Sequence, residues 1–435
     1  MEVSFLGAAR EVGRSAILLE GKKRILLDCG LKLDNEDELF PIIESKTIRK
    51  LDYVALSHAH LDHSGFIPGL YEQGYRKKTV LTKPTRDLTQ LLLADALRIN
   101  EDVPYDEKDV GRFLASTHML EYSERAGPFV FHEAGHILGS AQVEINDAKR
   151  VLYTGDINTR PTRLLEGAKT GLAAEALIIE STYGSPHDSL PSLKESGAYL
   201  ANSIKETLRR GGKVLIPTFA IGRGQEILFT LESYMRSGGI PRAPIYLDGM
   251  IKKALRIYRH NAIYLKREVQ RRILTSEDDP FNSEFYAFPE RKDRSDVFEA
   301  GPSIILSTSG MLNGGPILTY IKALGSDPKN KIILVGYQAK GTRGRELLEG
   351  ADELSIDGER AAINMQIDEA RFSGHCDHKD LMEVIKQVKG LKKIFIVHGE
   401  EEKEEEFARA IEQWAHKAKR NIDVVVPRLG ETHKI

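Results

Sequence analysis

One device recurs along this chain and constrains its fold more than any other feature: a continuous apolar run that stops at a glycine or a polar residue. RILLDCG, YVALSH, RVLYTGD, ALIIEST, VLIPTF, IILSTSG, IILVGYQ and IFIVHGE all follow it. Runs this short and this uniformly apolar read as strands covered on both faces. Such strands belong to layered α/β proteins, where ligands gather at the C-terminal edge of the sheet. The expected fold class is α/β.

The edge after YVAL is the richest in chemistry. Ser57 opens a segment carrying His58, His60, Asp62 and His63 in the pattern H-x-H-x-D-H. In an extended segment, side chains alternate, so His58, His60 and Asp62 are expected on one side. His63 then swings in where the chain tightens after Asp62. Three imidazoles and a carboxylate suit zinc or a similar divalent ion. The spacing also suits two ions side by side, one on His58 and His60, the other on Asp62 and His63.

The remaining edges add residues of the same kind. Asp28 ends RILL, and beside the histidine cluster it reads as a group that orients a ligand. His136 lies between glycines in GHILG, Asp156 ends RVLYTG, and Glu180 ends ALIIE. His375 follows in RFSGHCDH and His398 ends IFIV. His132 has no partner pattern and reads as structural. The acidic run from Glu400 to Glu406 reads as the start of a solvated helix, its carboxylates complementing the positive N-terminus.

Composition limits what surrounds this cluster. A chain of 435 residues predicts two domains rather than one core. Its 41% hydrophobic and 29% charged residues are ordinary for a soluble protein. No apolar run approaches the roughly 18 residues needed to span a bilayer, and MEVSFLGAAR lacks the character of a signal peptide. Two cysteines, Cys29 and Cys376, build no disulfide framework, so a reducing cytoplasm is expected. The net charge of −2 implies no nucleic-acid partner by itself, so any basic surface has to be local.

A helix is expected over about Thr85 to Asn100. From Ser189 the texture changes: Ser192 and Glu195 form a capping box for a helix to Arg210, with Leu193, Leu200, Ile204 and Leu208 on one face. Alternating strands and helices continue to about Arg360. Lys252, Lys253, Arg256, Arg259, Lys266, Arg267, Arg271 and Arg272 interleave there with Tyr258 and Tyr264, a mixture suited to backbone neutralisation with base stacking. The tail VVVPRLGETHKI reads as a final edge strand.

Taken in order, Asp28, the H-x-H-x-D-H cluster, His136, Asp156, Glu180, His375 and His398 resemble the motif set of the metallo-β-lactamase nucleases with a β-CASP insert. VLIPTFAIGRGQE, ILSTSGMLNGGP and GYQAKGTRGREL resemble the insert's own signatures. SHAHLDHSG and GHILGSA look closer to the nuclease subunit of the cleavage and polyadenylation specificity factor, and to short archaeal proteins of that kind without N-terminal KH domains, than to ribonuclease J. The resemblance implies a metallo-β-lactamase αββα sandwich over residues 1–188 and 361–435, with a parallel-sheet α/β β-CASP domain over 189–360.

It also implies two zinc ions per chain. His58, His60 and His136 would hold one; Asp62, His63 and His398 the other; Asp156 would bridge them and, with Asp62, serve catalysis. The position of His398 is a histidine in RNA-cutting members and a valine in DNA-processing ones. The implied activity is therefore hydrolysis of RNA by a hydroxide between the metals, leaving a 5′-phosphate and a 3′-hydroxyl. His375 is the expected general acid, with Glu180 holding its tautomer.

RNA contacts are expected from Arg223, Ser309, Gly310 and Arg343 in the signature loops and from Lys252 and Arg256 in the basic stretch. Internal cutting is the leading expectation. The alternatives are a 5′→3′ exoribonuclease of the ribonuclease J type and a weakly active RNA-binding subunit. A small-molecule hydrolase would leave the large insert without a role. Similar tails in archaeal relatives imply a homodimer, and the family implies a larger RNA-processing assembly, cytoplasmic and without a membrane partner.

Overall fold

The computed structural model describes residues 1–32, 39–99, 103–275 and 279–435. The chain divides into two units. The first comprises Met1–Pro161, Leu165–Ser189 and Gly374–Ile435; the second comprises Thr162–Leu164 and Leu190–Ser373.

In the first unit the apolar runs build two seven-stranded sheets. One has the order Thr432–Lys434, Glu2–Phe5, Ile17–Glu20, Arg24–Leu27, Tyr53–Ala55, Thr79–Leu81, Thr117–Met119. The other runs Asp423–Val425, Lys393–Val397, Ala176–Glu180, Arg150–Tyr153, Ala141–Asn146, Phe129–Glu133, Arg125–Ala126. Because side chains alternate along a strand, each sheet has two apolar faces to cover. Val3, Phe5, Ile17, Leu19 and Leu27 pack against Phe131, Val143, Tyr153, Ile178 and Phe395 in one core. Leu18, Leu26 and Val54 face outward beneath Ile48, Leu70, Leu93 and Phe113 of the helices. Leu177, Ile179, Ile394 and Ile396 do the same beneath Leu381, Ile385, Phe407 and Ile411. The result is the expected αββα sandwich. The tail contributes an edge strand to each sheet rather than to one, through Asp423–Val425 and Thr432–Lys434.

The second unit is built on a six-stranded sheet in which every pairing is parallel: Tyr286–Ala287, Ile245–Asp248, Ile304–Ser307, Val214–Pro217, Lys331–Leu334, Gln366–Glu369. The last strand lies beyond the 360/361 boundary read from the sequence, yet its pairing with Lys331–Leu334 makes it part of this sheet. Helix Leu193–Arg209 has the predicted capping box between Ser192 and Glu195 and buries Leu200, Ile204 and Leu208. The helix expected from Thr85 spans Lys83–Ile99; Asn100 lies outside the described residues.

Two readings are corrected. Tyr258 and Tyr264 are core residues, 1% and 8% exposed, so they offer no ring for stacking. Helix Glu401–Lys417 does begin in acidic residues, but Glu404 is fully buried and accepts hydrogen bonds from Arg10 N and Gly399 N, both at 3.2 Å. Burial pushes its carboxyl well above the usual range. No helix among the described residues is long and apolar enough to cross a membrane.

Candidate metal centre

The chain leaves strand Tyr53–Ala55 through a short loop and then coils at once: Leu61–Ser64 is one helical turn, with His60 at its N-cap. Asp62 is therefore helical. The alternation expected through His58, His60 and Asp62 stops at His60, and the tightening begins before Asp62 rather than after it. The outcome is a ring of donors approached from two directions. The rings of His58 and His63 lie with centroids 4.1 Å apart, tilted 48° to each other.

The other strand ends deliver the rest. Asp28 and His398 both adopt a left-handed backbone, each with φ of 56°, which turns the chain sharply where its strand stops. His398 N donates to Ala8 O at 2.8 Å, fixing that turn. His136, Asp156, Glu180 and His375 complete the cluster, all within the first unit.

His58 Nε2 and His136 Nε2 lie 3.2 and 3.1 Å from His60 Nδ1. Asp156 Oδ2 lies 3.5 Å from each of the former two. A tetrahedral ion with arms of about 2.0–2.1 Å has ligand-to-ligand edges of roughly 3.3–3.4 Å. These four edges bracket that length, and the four donor atoms all lie within 4.8 Å of one another, a set that could hold a zinc-sized ion. On the other side, His63 Nε2 is 3.2 Å from Asp156 Oδ1 and 3.8 Å from Asp62 Oδ2, which is 3.3 Å from His398 Nε2. Asp156 Oδ1 is buried without a hydrogen-bond partner, an arrangement that is costly unless a cation offsets it.

The surrounding acceptors fix which nitrogen faces the cluster. His63 Nδ1 donates to Asp28 Oδ2 at 2.7 Å and His136 Nδ1 to Gly374 O at 2.8 Å. Ser57 Oγ lies 3.1 Å from His58 Nδ1 and donates to Asp28 Oδ2 at 2.7 Å. An acceptor beside each Nδ1 favours a proton there, which leaves Nε2 of His58, His63 and His136 as the nitrogen facing the cluster. Asp28 also accepts from Ser57 N and Tyr153 Oη, both at 2.7 Å. Burial pushes His58 and His136 well below the ordinary histidine range, toward the neutral ligand form. Burial works against ionisation of Asp156, but His63 and His398 hold its carboxyl well below the usual range.

Beside this cluster, His375 Nδ1 meets both oxygens of Glu180, at 2.9 and 3.0 Å, and its ring lies 4.5 Å from that of His136. His132 pairs with Glu144 at 2.9 Å, away from these donors.

The residues expected to contact RNA all fall in the second unit. Arg223 opens helix Arg223–Arg236 near the buried Glu226. Ser309 Oγ donates to Gly314 O at 3.1 Å and so closes its own loop. A Cβ on Gly310 would stand 3.0 Å from Phe219 N, so a side chain there would need its neighbour to shift by a few tenths of an ångström. Arg343 donates to Ser355 O and Leu312 O, at 2.7 and 3.2 Å. Lys252 lies 3.9 Å over the Phe288 ring, and both Lys252 and Arg256 are exposed on helix Ile251–His260.

Ser57, Tyr153 and the Gly374 carbonyl escape the sequence reading. Tyr153 carried a faint signal, a hydroxyl next to the end of an otherwise apolar strand.

Residues 9–198 match the metallo-beta-lactamase superfamily, 224–347 the Beta-Casp domain, and 360–427 the Zn-dependent metallo-hydrolase RNA specificity domain. Over 94% of its length the chain is 42% identical to a transcription termination factor FttA of Methanocaldococcus jannaschii, covering 69% of that protein. An RNase J-like protein of the same organism is 40% identical, with 94% of this chain and 95% of the relative covered. The FttA of Lokiarchaeum is 39% identical over 93% of this chain and 67% of its own length.

Proposed function

Because the chain belongs to the metallo-β-lactamase ribonucleases that carry a Beta-Casp domain, we propose that it cuts RNA internally with two zinc ions, leaving a 5′-phosphate and a 3′-hydroxyl. The observation that carries this reading is the pair of donor sets sharing Asp156, each with its ligand atoms close enough to meet on one ion. His58, His60, His136 and Asp156 would hold one ion, and Asp62, His63, His398 and Asp156 the other. When bound, the ions supply Lewis acidity, acidifying a water and offsetting charge on the phosphoryl oxygens.

The chain's own residues do the remainder. Asp28 keeps the His63 ring in one orientation. Glu180 accepts the Nδ1 proton of His375, so that in the imidazolium the proton on Nε2 is the one delivered to the departing 3′-oxygen, leaving a neutral ring. The exposed Lys252 and Arg256 supply positive charge for the phosphate backbone. Cutting near the 3′ end of a transcript fits the names of the relatives, where both termination and RNase J-like roles occur. For a homodimer, the outer edge of strand Thr432–Lys434 offers unpaired backbone groups; a mass of one chain in light scattering would remove that part of the proposal.

The deciding experiment uses a covalently closed circular RNA, zinc-loaded protein and a His375→Ala control. Linearisation by the wild type alone, with 5′-phosphate ends, supports the proposal. A surviving circle alongside loss of linear 5′-monophosphorylated RNA points instead to a 5′→3′ exonuclease. Products ending in 2′,3′-cyclic phosphate rule out attack by water.

A further inference from the structure

The loop after Asp156 and the loop carrying His375 are laced together. Cys376 N donates to Ile157 O at 2.7 Å, and Thr159 N donates to Cys376 Sγ at 3.3 Å. Ile157 N donates to Glu180 Oε1 at 2.8 Å, the same oxygen that holds His375 Nδ1. Arg160 closes the far end of this lacing. Its Nη2 makes a short charged hydrogen bond to Asp377 Oδ2, and its Nε lies 2.5 Å from Asp380 Oδ2. Its own backbone is fixed, because Arg160 N donates to Asn158 Oδ1 at 3.1 Å and Asn158 is buried.

Asp377 is the hinge of the arrangement. It is 3% exposed, follows His375 by two residues and caps helix His378–Gln387 by accepting from Asp380 N at 3.1 Å. The run Gly374–Asp377 is thereby held on both sides of Cys376, through the His375 ring by Glu180 and through Asp377 by Arg160. An arginine suits this place because its planar fork reaches two carboxylates at once, and those would repel each other without it. A lysine offers one point charge.

We propose that Arg160 is a positioning residue for proton delivery: by gripping Asp377 and Asp380 it sets the reach of the His375 imidazole toward the leaving oxygen. The inference rests on the reading of His375 as general acid. Arg160 acts on the loop that carries His375 through Asp377, two residues further on; Gly374 O, which accepts from His136 Nδ1, lies on the same loop, so the test has to separate proton delivery from an effect on the metal ligands. A misplacement of about 1 Å at a reacting group costs on the order of 100-fold in rate.

The test compares two RNA oligonucleotides with one cleavable linkage each, bridged by a 3′-oxygen or by a 3′-sulfur. A thiolate departs without a proton, so the sulfur substrate does not need the acid. His375→Ala should slow the oxygen substrate by about 10²–10⁴-fold and the sulfur substrate little. Arg160→Met should slow the oxygen substrate by roughly 10–100-fold in kcat with KM held within about twofold, and leave the sulfur substrate near wild type. Arg160→Lys keeps the charge without the fork and should fall between; it serves if the methionine variant does not fold. Equal slowing of both substrates, or no slowing of either, overturns the role of Arg160 while the His375 reading stands. If sulfur fails to restore His375→Ala, the acid assignment itself falls, and the inference with it.

Discussion

Asp28 never faces substrate in this arrangement, yet its four hydrogen bonds decide which nitrogen of His63 points at the metal centre. Asp28→Asn keeps the size but puts a donor where His63 needs an acceptor. Zinc affinity should fall by about 10–100-fold, measured by competition with a chromophoric chelator; an unchanged affinity would mean that something else orients His63. A second residue-scale effect concerns Glu133, at the end of strand Phe129–Glu133. Burial, with the nearby Glu166, pushes its carboxyl up to about 7. The folded protein then keeps a proton that the unfolded chain sheds near the ordinary carboxylate value. Stability must fall as pH rises between about 4.5 and about 7, and level off above. Glu133→Gln should be more stable than wild type at pH 8 by about 1–2 kcal/mol, allowing for solvent screening, and nearly equal to it at pH 4. Urea midpoints at the two values check the sign.

Elements were legible where local pattern and tertiary role coincide. Ala176–Glu180 is buried at every position because one face meets the inter-sheet core and the other meets the helices, and that is why it reads as an unbroken apolar run. Ile178→Ala and Ile179→Ala open cavities on opposite faces, and each should cost about 2–5 kcal/mol in denaturant unfolding. A loss near zero at either would mean that its face is not packed as described. That these histidines and carboxylates come together was equally legible, since most of them follow strand ends that the pattern marks. What failed depended on distant chain. The single helical turn at Leu61–Ser64 is too short to show a period, so the sequence pattern runs on as extended through Asp62. Glu404 looks like one more carboxylate in a solvated run until Arg10, nearly 400 residues earlier, brings its backbone amide to it. Tyr258 and Tyr264 are interleaved with cations in sequence, yet the helices turn both rings inward and the charges outward. Ser57 and Tyr153 earn their place only because Asp28 lies beside both.

At the scale of the whole molecule, every proposed metal ligand belongs to the first unit, and so does the chain's single tryptophan. Trp414 lies on helix Glu401–Lys417, partly buried against the cluster that contains Ile394, Ile396 and Phe407, with the Arg420 guanidinium 5.3 Å from its ring. Its fluorescence therefore reports the unfolding of the unit that carries the proposed ligands. Ions that bind only the folded form stabilise it by about 4 kcal/mol when present at a thousand times their dissociation constant. For a domain of this size that corresponds to a shift of roughly 10 °C. Chelation should lower the Trp414 melting midpoint by about that amount, and restoring zinc should recover it. In Asp156→Ala the chelator should have far less left to remove, because both donor sets lose the carboxylate they share. A chelator shift as large in that variant as in the wild type would place the stabilising ion somewhere other than between these histidines.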